Sequence, residues 1–207
     1  RDHAAVQRDV LVGQRAQVAQ QRRLGAVRAE HRVGQELRGA HQLGGRGVLV
    51  QLRRLLVDQT PMAFDCGRTC RAACCKSDEE GRGGVFLFPG EEAFTGTDWA
   101  SVTDASEAFG ARALMLTCDG RCDRTKRPLG CMIFPLTPVV DESGAVDVRF
   151  DYRARPLCPI LRDGMRGLRG EFIDAVRRAL GEIARDPEGL AFLRAWQALE
   201  EQYHFEL

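Results

Sequence analysis

Eight cysteines stand between residues 66 and 158 of this 207-residue chain: Cys66, Cys70, Cys74, Cys75, Cys118, Cys122, Cys131 and Cys158. Half of them fall in one short stretch, "FDCGRTCRAACCK", where two are adjacent. Thiolates are soft ligands, and four of them build either a structural zinc site or an iron–sulfur cluster. Eight therefore suffice for two such sites, or for one with spares. The cysteine span contains no histidine; His204, the only histidine after residue 61, sits near an end expected to fray and is a poor ligand candidate. The spacing C-x3-C-x3-C-C has a helical meaning. In a helix Cys66, Cys70 and Cys74 stand at i, i+4 and i+8 on nearly one face, and Cys75 points about 100° away. Cys75 then serves a second metal, approaches through a local distortion, or stays unligated.

Other thiol chemistries fit less well. Structural disulfides need an oxidising compartment, and no export signal is visible. A thioredoxin-type centre needs C-x-x-C, which is absent. A catalytic cysteine needs a partner histidine, and only His204 is downstream. The spacing does not separate zinc from iron. Arg68, Arg71, Lys76, Arg121, Arg124, Lys126 and Arg127 lie close to the cysteines in sequence. Cations there lower thiol pKa values and offset an anionic thiolate centre; as a solvated basic surface they would do neither.

Local patterns suggest the elements that position these thiols. "VFLF" (85–88) is a short apolar strand stopped by Pro89–Gly90. Glu91 and Glu92 suit the acidic first turn of a short helix. "ARALMLTC" (111–118) reads as a buried strand ending at Cys118, followed by a turn at Asp119–Gly120. "CMIFPL" (131–136) reads as a strand. "AVDVRFDY" (145–152) alternates like a half-exposed strand, with "DESG" (141–144) as the hairpin turn before it. "RPLGC" and "RPLC" echo each other, each leading through Arg and Pro into a cysteine, Cys131 and Cys158; proline biases that approach toward extended backbone. Phe172, Ile173, Val176, Leu180 and Ile183 share a helical face. Asp186 and Pro187 then suit the start of a second helix, lined by Phe192, Trp196, Leu199 and Tyr203. The aromatic stripe reads as core.

The first 61 residues differ from the rest. They hold eleven Arg, nine Gln, no Lys and five acids, a net of +6, whereas residues 62–207 hold 19 Lys plus Arg against 24 acids. They contain no Cys, Ser, Met, Phe, Tyr or Trp. Their best apolar run, "VLVQLRRLLV", is interrupted by Gln51 and Arg53–Arg54, so the segment has little to bury. Two readings stand: a basic, disordered or frayed helical tail, or translation of a GC-rich region upstream of a start at Met62. No run of about 18 apolar residues suggests a membrane span. The acidic balance after Met62 argues against nucleic acid.

"CGRTCRAACCK", followed by "RPLGCMIFPL" and "RPLC", resembles the bacterial YkgJ-type cysteine-cluster proteins, a family associated with zinc or iron chelation. The resemblance covers about Phe64 to Pro159 and departs from the family's usual C-x2-C-x2-C-C by one residue in each gap. It implies a bacterial metal-binding domain. A related cluster in a flagellin lysine methylase implies, by analogy only, an enzymatic role.

The expectation is an α+β fold: a small, cysteine-rich, metal-stapled domain with short strands over residues 62–160, and a C-terminal two-helix hairpin over 161–207. It would bind an iron–sulfur cluster or zinc through all eight cysteines, in the cytoplasm, with a protein partner possible at the C-terminal helices. A cluster-dependent redox or methyl-transfer enzyme, and an interaction module with structural zinc, are the alternatives.

Overall fold

The computed structural model describes residues 45–76, 83–94, 99–118, 120, 122 and 124–205. Contacts divide the chain into Arg1–Gln42 and Leu43–Leu207. The first unit lies outside the described residues, as do "SDEEGR" (77–82) and Asp119.

Helix α1, Gly45–Leu56, opens the second unit. Val48, Leu49, Leu52 and Leu56 recur at helical spacing and are buried, Leu52 and Leu56 almost completely. Sequence reading set this stretch apart with the first 61 residues. The interruption by Gln51 and Arg53–Arg54 disappears once the run is wound at 3.6 residues per turn, because the polar residues then leave the apolar face intact. Helix α1 packs against α5 (Gly170–Ile183) and α4 (Leu129–Ile133).

Two small antiparallel sheets follow. Strand β3 (Leu114–Cys118) lies between β1 (Val85–Leu87) and β2 (Ala100–Asp104), with Val85 opposite Leu116 and Ala100 opposite Cys118. Strands β4 (Leu136–Val140) and β5 (Val146–Phe150) form the expected hairpin, Val140 opposite Val146. Its turn is tied by Asp141, whose carboxylate accepts from the Ala145 amide at 2.9 Å and the Ser143 hydroxyl at 2.6 Å. Strand β2 has no strong sequence signal: it is polar and mostly exposed, and it leads into a single turn of helix, α3 (Ser106–Phe109).

One expected strand is a helix. Cys131, Met132 and Ile133 belong to α4, and the strand begins only at Leu136. Pro128, extended, stands just before the helix, where a missing N–H costs nothing. Gly130 lets α4 press onto β1: a Cβ there would fall 2.3 Å from Val85 Cγ2.

The C-terminal hairpin is α5 with α6 (Pro187–Phe205). The Asp186 carboxylate accepts from the Gly189 amide at 2.9 Å, capping α6. Phe172, Val176, Leu180 and Ile183 of α5 are buried. Phe192 and Trp196 of α6 meet Phe86, Phe88 and Phe109 in one aromatic core, with ring centroids 4.6–6.1 Å apart. Gln197 accepts the Val140 amide at 2.6 Å, fastening α6 to the β4–β5 hairpin. Tyr203 is partly exposed and stacks on Tyr152. The architecture is α+β, and among the described residues no helix is long and apolar enough to cross a membrane.

Candidate functional site

The cysteine-rich stretch is not one helix. Helix α2 covers only Gly67–Cys70. Arg71 and Ala72 then adopt left-handed backbone, with φ of 53° and 56°, and a 3₁₀ turn carries Ala73–Cys75. Two successive non-glycine residues in that region are strained by roughly 1 kcal/mol or more each. The distortion replaces the single face expected for Cys66, Cys70 and Cys74. In a 3₁₀ turn neighbouring side chains diverge by about 120°, so Cys74 and Cys75 leave the backbone in different directions. Their sulfurs are nevertheless 3.9 Å apart.

All eight cysteines line a single cavity of about 640 Å³, together with Lys76, Trp99, Arg127, Tyr152 and Arg153. None of the eight is in a disulfide; Cys74 is exposed and the others are half-buried. Cys118 ends β3, Cys131 sits in α4, and both pack against the Val85–Leu87–Leu116 cluster. Gly120, in the turn after Cys118, has φ of 76° and lies against Cys75: a Cβ there would fall 2.7 Å from the Cys75 carbonyl oxygen. Cys158 opens a run of 3₁₀ turns, Pro159–Gly167, and the amides of Ile160 and Leu161 approach its sulfur. The Arg169 amide donates to the Pro61 carbonyl at 2.9 Å, holding the start of α5 beside the chain that leads to Cys66.

The thiols perturb one another. Burial, then the thiols of Cys70 and Cys158, push Cys66 up from its ordinary value. Cys74 is raised by its hydrogen bond with Cys75, by burial, and by Cys75, Cys70 and Cys66 nearby. Cys75 is lowered to about 6, by the hydrogen bond with Cys74 and by Arg127 against the opposing effect of burial. Two sulfurs this close cannot both ionise freely, so one proton is shared between them. Burial raises Cys131 strongly, and Cys75, Cys122 and Cys118 add to it. Burial opposes the charge of Arg127, but contact with Cys122 and proximity to Cys75 and Cys131 more than restore it. Of the basic residues flagged by sequence, Arg127 and Lys76 line the cavity, whereas Arg68 and Arg71 are exposed. Arg121 and the side chains of Arg124 and His204 lie outside the described residues.

Sequence reading missed two buried polar devices behind the cavity. Glu91 stands in the first turn of a short 3₁₀ helix, Glu91–Phe94, as its sequence suggests, but it is fully buried and accepts from Arg53 at 3.1 Å, the Phe88 amide at 3.1 Å and the Leu129 amide at 2.6 Å. It thereby caps the helix that carries Cys131. Arg53 also donates to the Thr125 carbonyl at 2.8 Å, in the loop between Cys122 and Cys131. The second device is Arg153, held by the buried Asp151 carboxylate, near Glu200 at 3.9 Å and over the Trp196 ring at 5.9 Å. Asp151 and Arg153 follow the alternating strand β5 and gave no motif by which to find them.

The cavity wall gathers soft sulfur donors. Trp99, whose buried indole N–H has no partner among the described residues, packs in the same cluster as Cys118 and Cys131 and lines the same cavity. The spacing of the donors is looser than a closed coordination shell: among the described residues no three His, Cys, Asp or Glu side chains are arranged to hold a metal ion. Comparison with known protein families, curated proteins and solved structures finds no match to this chain.

Proposed function

We propose that this chain is a metal-binding protein that holds an iron–sulfur cluster or zinc through the thiolates of Cys66, Cys70, Cys74, Cys75, Cys118, Cys122, Cys131 and Cys158. One observation carries the reading: every cysteine of the chain, drawn from five separate segments, lines the same cavity, and none is in a disulfide. Ordinary buried cysteines serve as small apolar fillers and have no reason to collect in one place. Arg127 supplies positive charge where thiolates would gather. The likeness to YkgJ-type proteins agrees with this, on the cysteine motif alone. A bound metal would join residues far apart in sequence and so contribute folding free energy.

The test is elemental analysis with a visible absorption spectrum on protein purified without oxygen. Stoichiometric iron with a brown colour identifies a cluster, and colourless protein with zinc identifies the ion. Metal-free protein that is fully folded rejects the proposal.

The cavity favours a second reading. Its volume of about 640 Å³ exceeds what a ligand shell needs and falls within the range of small-molecule sites. Tyr152 and Arg153 on its wall would meet a substrate. A cluster-dependent enzyme is then the alternative, supported if small-molecule binding survives substitution of Arg153 by lysine and is lost on substitution by methionine.

A further inference from the structure

Cys74 and Cys75 are neighbours in the chain, and their sulfurs stand 3.9 Å apart. The 3₁₀ turn Ala73–Cys75 sets them there, with the left-handed pair Arg71–Ala72 ahead of it and Gly120 packed on Cys75. Cys74 is exposed and Cys75 half-buried, so a reagent in solvent reaches the pair. Both line the cavity of about 640 Å³. The Cys70 thiol is turned elsewhere, toward the Cys66 carbonyl oxygen at 3.9 Å.

The separation decides what the pair can hold. A disulfide needs sulfurs about 2.05 Å apart and Cα atoms at least about 4.4 Å apart, whereas residues adjacent across a trans peptide have theirs at about 3.8 Å. Closing that bond would strain the turn. An atom bonded to both sulfurs bridges them with little movement. An arsenic–sulfur bond is about as long as a zinc–thiolate bond, about 2.3 Å, and two such bonds meeting between a right and a tetrahedral angle place their sulfurs roughly 3.3–3.8 Å apart. A four-thiolate shell asks for donors that are not gathered among the described residues. Trivalent arsenic carrying one organic group asks for two. The cavity suits that group as well: Trp99, Phe134, Pro135, Leu157 and Ile160 give it an apolar wall, and pockets of this size and lining take small apolar ligands.

We propose that Cys74 and Cys75 form a two-sulfur binding site for trivalent arsenicals bearing one apolar group, with that group seated in the cavity. With an aryl arsine oxide, two S–H bonds and the arsenic–oxygen double bond break. Two arsenic–sulfur bonds form, and the oxygen leaves with both protons as water. Arsenic stays trivalent, and no oxidant or reductant takes part. The inference needs two thiols and no metal, so it stands apart from the metal-binding proposal.

Full-length protein, reduced with a phosphine and freed of metal by chelator, is mixed with one equivalent of phenylarsine oxide. The remaining thiols are alkylated, and the chain is cut with trypsin and mapped by mass spectrometry. Cleavage after Arg71 and Lys76 leaves both sulfurs on one peptide, Ala72–Lys76, and Cys66 and Cys70 on others. The arsenic should lie on that peptide, with Cys74 and Cys75 spared and the other six cysteines alkylated. An arsenic bridge joining two peptides, or Cys74 and Cys75 alkylated like the rest, overturns the site. Cys74→Ser should abolish the one-equivalent adduct, and undiminished arsenic on that variant also overturns it; should the variant fail to fold, the wild-type map decides alone. Competition with methylarsine oxide tests the seating of the group. The native protein should prefer the phenyl compound by about tenfold or more over the preference in urea, and equal preference in both overturns the seating. Metal measured on the same preparation before chelation answers the metal-binding proposal separately.

Discussion

Arg53 and Glu91, 38 residues apart in sequence, meet at 3.1 Å inside the protein, where the carboxylate is fully buried. Glu91 also accepts two amides, and Arg53 also donates to the Thr125 carbonyl. The pair thus ties α1 to β1, to α4 and to the loop between Cys122 and Cys131. Arg53→Met should destabilise the fold by about 3–5 kcal/mol above pH 7, where Glu91 is ionised and would be left as an uncompensated buried charge. Urea unfolding of wild type and variant measures it, and a change below about 1 kcal/mol would show the pair to be incidental.

The same carboxylate sets a pH dependence. Burial raises Glu91 from its ordinary 4.5 to about 7, despite the amides and Arg53. Between those values the unfolded chain has released its proton while the folded chain keeps it. Stability should therefore fall as pH rises from 4.5 to 7, by up to roughly 3 kcal/mol, and change no further from this group above that. Glu200, raised to about 7 chiefly by burial and then by Asp151, acts in the same direction. Glu91→Gln should flatten the profile measured by urea midpoints; an unchanged slope would assign the dependence elsewhere.

Helix α1 buries Leu49, Leu52 and Leu56 against the rest of the unit. A chain begun at Met62 removes that helix and Arg53 together. It should fail to give a cooperative thermal transition, and Leu52→Ala in the full chain should cost about 2–5 kcal/mol. Calorimetry on the shortened chain checks this, and a sharp transition there would contradict the packing described.

In reduced, metal-free protein Cys75 should be the most rapidly alkylated thiol near pH 7, since its pKa is lowered to about 6. Its hydrogen bond with Cys74 is the main cause, and Arg127 adds to it. Cys74→Ser should move the alkylation midpoint upward more than Arg127→Gln does. Mass spectrometry across a pH series gives each midpoint.

Gly120 combines a φ of 76° with a carbonyl 2.7 Å from where a Cβ would sit. Gly120→Ala should destabilise by about 1–3 kcal/mol, whereas Gly181→Ala, with open space around it, should be neutral or stabilising. Thermal melts of the two variants make the comparison.

How much of this was legible in the sequence depended on whether the signal was local. The turn at 141–144, strand β5 and α5–α6 follow from periodicity and turn residues and stand where those patterns put them, whereas β4 starts at Leu136, where the expected strand was to end. "CMIFPL" misled because a short apolar run cannot tell a strand from a buried helix by period; Pro128 stands ahead of the helix and Gly130 lets it press onto Val85. Arg53 looked like an interruption, since its partner lies far along the chain. The thiols were identifiable by type and number. Their neighbours were not, because Cys75 meets the 118–122 turn only through the fold.

Cys158, the last of the thiols to be made, lies beside Cys66, the first. A chain leaves the ribosome from its N-terminus. Cys66 is therefore made long before the neighbour it has in the fold, and a nascent chain stalled before Cys158 would present it bare to oxidants and to competing metals.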